Sequence, residues 1–156
     1  MKKTWIWLGL ALLAGSAQAV EPGERLSSWT LSDQFEESHA LDEQVRVLLV
    51  ARSMEGGKLV EQALAGLDRD YLPARHALFV ADISRMPRLI GSLFAIPAMR
   101  DYNYRVLLDR EASVVPQYRA PEAGVLWLDL QAGVVRERRE FADATALRQA
   151  LEQLKP

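Results

Sequence analysis

Ser53-Met54-Glu55-Gly56-Gly57-Lys58 follows a nearly continuous apolar run and opens an amphipathic one, the position at which a strand hands over to a helix. A helix start leaves backbone N–H groups without intrahelical partners at the positive end of the helix dipole. A carboxylate or phosphate could dock there, with Lys58 assisting. The glycines lack the spacing of a phosphate loop and Glu55 opposes an anion, so the competing reading is a plain helix cap with a flexible glycine pair. Asp82, Asp109 and Asp129 each follow an apolar strand pattern. Carboxylates gathered at the ends of parallel strands could hold Mg²⁺ or Ca²⁺. Asp equally opens turns and caps, and the strand 125–130 is expected to run antiparallel to the others, which favours the structural role.

Other chemistries are closed by what the chain lacks. It contains no cysteine, so thiol-disulfide exchange and thiolate attack have no residue to run on. His39 and His76 are the only histidines, and their separation is not the i, i+4 spacing of a helical zinc pair. No Gly-x-Ser-x-Gly elbow and no Gly-x-Gly-x-x-Gly fingerprint occurs, so neither serine hydrolysis nor dinucleotide binding is indicated. No catalytic residue, cofactor or metal is expected.

The elements that must position these residues alternate. Residues 26–31 form an opening strand, and Ser32 to Asp42 a polar loop. Val45 to Ala51 is apolar enough for a strand buried on both faces. Val60, Ala63, Leu64 and Leu67 form one face of a helix ending near Asp70. Ala77 to Ala81 is a second buried strand. Met86, Leu89, Ile90, Leu93 and Phe94 mark a second amphipathic helix that should stop before Pro97; the stripe, followed by Ile96, Pro97 and Met99, is broad enough to suggest partner binding, but its helical spacing favours core. A short strand at 105–108, a turn at 114–118, a strand at 125–130, a hairpin turn at Gln131-Ala132-Gly133 and a half-exposed strand at 134–141 follow. Asp143 then caps a last helix that buries Leu147, Ala150, Leu151 and Leu154. This order predicts an α/β fold with a mixed central sheet flanked by helices.

Lys2 and Lys3, the apolar run Trp5 to Leu13, and Ala17-Gln18-Ala19 read as a secretory signal cleaved after residue 19. The apolar run is shorter than the roughly 20 residues of a membrane span. Residues 20–156 then form a single domain, expected in the periplasm, with membrane contact only through the signal peptide during export. The whole chain has a net charge of −2, and loss of two lysines makes the remainder more acidic. Nucleic acid, which calls for a basic face, is not an expected partner. Arg136-Glu137-Arg138-Arg139-Glu140 reads as the protected edge of a sheet.

The element order and the turn at Met54 resemble the thioredoxin-like fold. Thioredoxins follow their buried strand with Trp-Cys-Gly-Pro-Cys-Lys. Laying that lysine on Lys58 puts Met54 and Gly57 in the two cysteine places. Tyr104-Arg105-Val106-Leu107-Leu108-Asp109 resembles the Phe-Pro-Val-Leu-Leu-Asp segment of the exported branch, and Leu128-Asp129 with Gly133 resembles its Asp-x-x-Gly hairpin. The family's cis-proline falls on Ala123, with Pro121 two residues early. The same order, with Val45-Arg46-Val47-Leu48, Asp82 and Glu122-Ala123-Gly124-Val125-Leu126-Trp127-Leu128-Asp129, is similar to the YtfJ family of periplasmic proteins, whose activity is unsettled.

The resemblance implies a three-layer thioredoxin-like fold that brings Arg52, Met54, Glu55, Gly56, Gly57 and Lys58 beside Pro121, Glu122 and Ala123. The expected function is a non-redox, non-catalytic binding or adaptor module that holds a protein or peptide partner on this degenerate active-site surface. The alternative is a thiol-independent enzyme or binder of a small anion or divalent metal at the same end of the sheet.

Overall fold

The computed structural model describes residues 19–156; the signal-peptide assignment, apart from Ala19, lies outside the described residues. Apolar strands and one buried β-ladder set the architecture. β1 (Thr30–Ser32) and β2 (Ser38–Ala40) form a small antiparallel hairpin. β3 (Val47–Ala51), β4 (Ala77–Asp82), β5 (Leu107–Asp109), β6 (Val125–Gln131) and β7 (Val134–Phe141) form a sheet of order β5-β4-β3-β6-β7. β3, β4 and β5 are parallel, and β6 runs antiparallel to both β3 and β7. β3 is fully buried, which is why its sequence is a continuous apolar run rather than an alternation.

Alternate residues serve opposite faces. Val47, Leu49, Ala51, Phe79 and Trp127 pack with α1 (Met54–Leu64) and α4 (Ala144–Glu152). Leu48, Val50, Leu126 and Leu128 pack instead with Val20, Leu41 and the 3₁₀ turn Val115–Tyr118. There Trp29 Nε1–H donates to the Tyr118 hydroxyl at 2.6 Å. Burial pushes that phenol up to about 12, and the Trp29 bond only partly offsets it. β7 is the edge strand, and Arg139 pairs with Asp129 at 3.2 Å, in keeping with a charged, protected edge.

Two expectations are corrected. The opening strand is shorter and later than 26–31, and the polar loop contains β2, because buried Asp33 and Gln34 anchor a hairpin there that a polar sequence does not advertise. The second helix does not stop before Pro97. It runs as α2 (Arg88–Ile90), a π-helical turn (Gly91–Ala95) and α3 (Ile96–Met99). Pro97 lacks an N–H and crowds the carbonyl one turn back. The wider turn, in which the Ile96 N–H reaches Gly91 O, accommodates it and shifts the phase of everything downstream. Ile96 is buried, while Leu89, Ile90, Leu93 and Phe94, read as core, are exposed.

Asp33 holds the β1–β2 hairpin against β5. Its Oδ1 accepts the N–H groups of Phe35 at 2.8 Å and Glu37 at 3.0 Å. Its Oδ2 lies 2.9 Å from His39 Nε2 and 2.7 Å from Arg105 Nε. Gln34 extends the clamp: its amide donates to Tyr104 O at 2.8 Å, and its carbonyl accepts the Val106 N–H at 3.0 Å. Burial pushes the Asp33 carboxyl up, but the two N–H groups, His39 and Arg105 together outweigh it and hold the carboxyl below 3.8. A depressed folded value means that the stabilisation is fully present above the ordinary Asp pKa and is lost as pH falls through the folded one. Thermal unfolding followed from pH 7 downward is therefore expected to show a fall in midpoint beginning near pH 4. Asp33→Asn should cost about 2 to 3 kcal/mol at pH 7 and flatten that acid limb.

Candidate functional site

The turn from β3 into α1 is built from backbone capping and close packing. Ser53 is extended (φ −141°, ψ 167°), and its Oγ accepts the Gly56 N–H at 3.2 Å, the usual N-cap geometry. The same hydroxyl donates to the Glu122 carbonyl. Arg52 reaches Glu122 Oε2 at 2.8 Å and donates to Ala120 O at 3.3 Å. Arg85, just beyond β4, meets Glu122 Oε1 at 3.1 Å. One carboxylate thus sits between two guanidinium groups and ties the 120–124 loop to the start of α1.

The two glycines have different roles, which replaces the reading of a flexible pair. An ideal Cβ on Gly56 would lie 2.4 Å from Gly124 O and 3.1 Å from the Ala51 Cβ. Gly56 is buried at a contact that only a missing side chain permits. Gly124 repeats the device one layer on, since a Cβ there would lie 2.6 Å from Phe141 O and 3.2 Å from Pro121 Cγ. Gly57 has nothing within 4 Å of its Cβ position.

The structure therefore brings Arg52, Gly56, Pro121 and Glu122 together. Met54 is 72 % exposed at the tip of the turn, and Glu55, Lys58 and Ala123 are also exposed. Lys58 has no ion pair among the described residues, and the cations that converge here are instead Arg52 and Arg85. Arg85 is the residue that sequence reasoning missed. Its only signal was a position just after the Asp82 strand end. Among the described residues no peptide bond is cis, so neither Pro121 nor Ala123 reproduces that feature of the redox fold.

Asp82 and Asp109 are register partners on adjacent strands, but Asp129 does not join them. Asp82 accepts the Ser84 N–H at 2.8 Å. Asp109 is buried and takes the N–H groups of Ser113, Val114 and Val115 at 2.8–2.9 Å. Asp129 stands opposite Val47, at the start of β3 and so at the other end of the sheet, paired with Arg139. All three are structural. The two histidines, by contrast, line one cleft. A cleft of about 340 Å³ near the start of β4 is lined by His39, His76, Asp42 and Arg105 among others. Asp33, Glu37 and His39 place ligand atoms within 4.8 Å of one another. Arg105, however, lies 2.7 Å from Asp33 and 2.9 Å from Glu37. Its guanidinium already occupies the place that a cation would take.

Gly56→Ala is expected to lower stability by about 1 to 3 kcal/mol, because the group facing the new methyl is backbone and cannot swing aside. Gly57→Ala should raise it by about 0.5 to 1 kcal/mol, since a helical position gains a side chain in open space. Denaturant midpoints of the two variants check both signs.

No protein-family model matches the sequence, and no curated protein matches it. Solved structures do. The chain is similar to a disulfide isomerase-like protein from Bacteroides thetaiotaomicron (TM-score 0.56, 14 % identity, 88 % of this chain and 92 % of that one). It is also similar to a peroxiredoxin-like protein from Aquifex aeolicus (TM-score 0.54, 12 % identity, 88 % and 90 %). A third is the thioredoxin domain of a thiol-disulfide oxidoreductase from Bacteroides vulgatus (TM-score 0.53, 13 % identity, 88 % and 100 %). At these identities the likeness is one of fold. The chain has a thioredoxin-like α/β fold, a mixed five-stranded sheet flanked by helices, in a sequence with no cysteine.

Proposed function

We propose that this protein is a non-redox binding module of thioredoxin-like fold that holds a protein or peptide partner on the surface formed by Met54, Glu55, Pro121, Glu122 and Ala123. The observation that carries the reading is the state of the turn. The cap by Ser53 and the glycine contact keep it ordered, while a 72 % exposed methionine stands where the resemblance to thioredoxins lays the first cysteine. A thioether on three rotatable bonds makes an adaptable apolar contact, and a pre-ordered backbone lowers the entropic cost of binding. The pattern of residues 1–19 supports export through a cleaved signal peptide. Together with the order of motifs similar to the YtfJ family, it supports a periplasmic location for the module as residues 20–156.

The rival reading, a small-anion or metal site at the same place, is opposed by the charges already there. Glu122 faces both Arg52 and Arg85, so an incoming anion meets a carboxylate in the position it would take. A divalent ion would have to approach two guanidinium groups. A ligand present at 100 times its dissociation constant stabilises a protein by roughly 2.7 kcal/mol. Phosphate, citrate, Mg²⁺ and Ca²⁺ are each expected to leave the unfolding midpoint unchanged, and a shift with any of them would favour the rival.

A photo-crosslinking residue at Glu55, with a control at the exposed Gln149 on α4, tests the proposal in cells. A discrete adduct from position 55 alone is expected, and Met54→Ala should reduce its yield by about tenfold if the side chain is buried in the contact. No adduct, or the same adducts from both positions, would reject the surface as a docking site.

A further inference from the structure

β7 is an outer strand of the five-stranded sheet, and only its first residues are covered. The Gly23 N–H donates to Val135 O and the Val135 N–H to Glu24 O, each at 2.8 Å, and the Leu26 N–H reaches Gly133 O at 2.9 Å. Val135 therefore turns its main chain away from β6. Leu130, its register partner, agrees, because the Leu130 N–H donates to Arg46 O and not toward β7. The next matched pair is Asp129 with Glu137, which makes Arg136 the extra residue of a bulge. The bulge resets the alternation: Glu137, Arg139 and Phe141 turn their main chain toward β6, and Arg138 and Glu140 turn theirs outward. Among the described residues no strand pairs with that outer edge beyond Val135, and no loop backbone bonds to it.

The side chains of this stretch carry both signs. Arg136 is exposed, and its guanidinium donates to the neutral Gln131 Oε1 at 2.9 Å. Glu137 and Glu140 are also exposed, with Arg139 3.7 Å from the former. Such charges deter an unrelated strand. Read in reverse, however, the order Arg136-Glu137-Arg138-Arg139-Glu140 complements itself. We infer that two copies of the chain pair antiparallel through β7 about a two-fold axis at Arg138, joining their five-stranded sheets into one.

Register and charge place the axis. Arg138 is the midpoint of the uncovered stretch 136–140, and its main chain points outward, so it exchanges both main-chain hydrogen bonds with its copy. That register sets Glu137 opposite Arg139 of the second copy and Glu140 opposite Arg136, and symmetry doubles both pairs. Arg138 meets itself, but its side chain is only 14 % exposed and its guanidinium is already turned to Tyr118 O, Arg119 O and Glu140 of its own chain. Moving the axis to Arg139 would set two guanidinium groups opposite each other and leave Glu137 facing Phe141. An unrelated strand carries this order of charges only by accident, whereas a second copy always carries it.

Sedimentation velocity of the purified protein is expected to show a concentration-dependent equilibrium between monomer and dimer. Glu140→Pro should abolish it with the thermal midpoint of the dilute protein unchanged, since proline on an outer edge blocks an approaching strand without touching the β6 ladder. Arg136→Glu and Glu140→Arg each turn two attractive pairs into repulsive ones, and each should weaken self-association by about tenfold. An equimolar mixture of these two variants restores opposite charges at both pairs and should regain the dimer as a heterodimer, a result that misfolding does not mimic. A dimer that survives Glu140→Pro, or that the charge changes and their mixture leave unaltered, would lie on another surface or on residues 1–18 and overturn the proposal. A chain that stays monomeric up to about 1 mM would assign the edge to another partner or to none, and would overturn it as well.

Discussion

The carbonyl oxygen of Gly124 lies 2.4 Å from the point where a side chain on Gly56 would begin, and the carbonyl of Phe141 lies 2.6 Å from the same point on Gly124. Three backbone segments are stacked with no side chain between them: the first turn of α1, the start of β6 and the end of β7. That spacing brings the Ser53 hydroxyl within reach of Glu122 O and sets the Arg52 guanidinium on the Glu122 carboxylate. The ion pairs are half-exposed, and pairs of that kind contribute little on their own. Backbone contact therefore fixes the geometry, and the charges decorate it.

At the opposite pole the same problem, attaching a small element to the sheet, is solved with buried polar groups. Asp33 and Gln34 are fully buried, and each has its hydrogen-bonding capacity met by the hairpin and by the 99–106 segment. A buried carboxylate is tolerable only when so satisfied. The clamp also covers β5, which would otherwise offer an unpaired edge. A cleft of about 340 Å³ lies at this pole, lined by His39, His76 and Arg105 among others.

The α2–α3 segment shows that helical spacing does not by itself decide burial. Pro97 sits inside a helix that a simple reading ends before it, and the π turn that accommodates it changes the helical phase. Ile96 is buried, whereas Leu93 and Phe94 are exposed, as are Leu89 and Ile90 before the π turn. Periodicity alone could not show this, because a pattern of apolar residues at helical spacing looks the same whether its stripe faces a core or solvent.

The sequence by itself determined the chemistry that is impossible and most of the scaffold. Absence of cysteine removes thiol redox activity whatever the fold. The strands at 47–51, 77–82 and 125–131 were legible because short apolar runs bounded by polar residues are stable only when a sheet buries them. Asp143 as the cap of α4 was legible because capping is local. Only the tertiary structure decided which groups meet. Arg85 joining Arg52 on Glu122, His39 and His76 lining one cleft, Gly56 being locked while Gly57 is free, and a predicted core stripe lying in solvent all depend on contacts between segments far apart in sequence. Local pattern records what a residue can do; the approach of distant backbone determines what it faces.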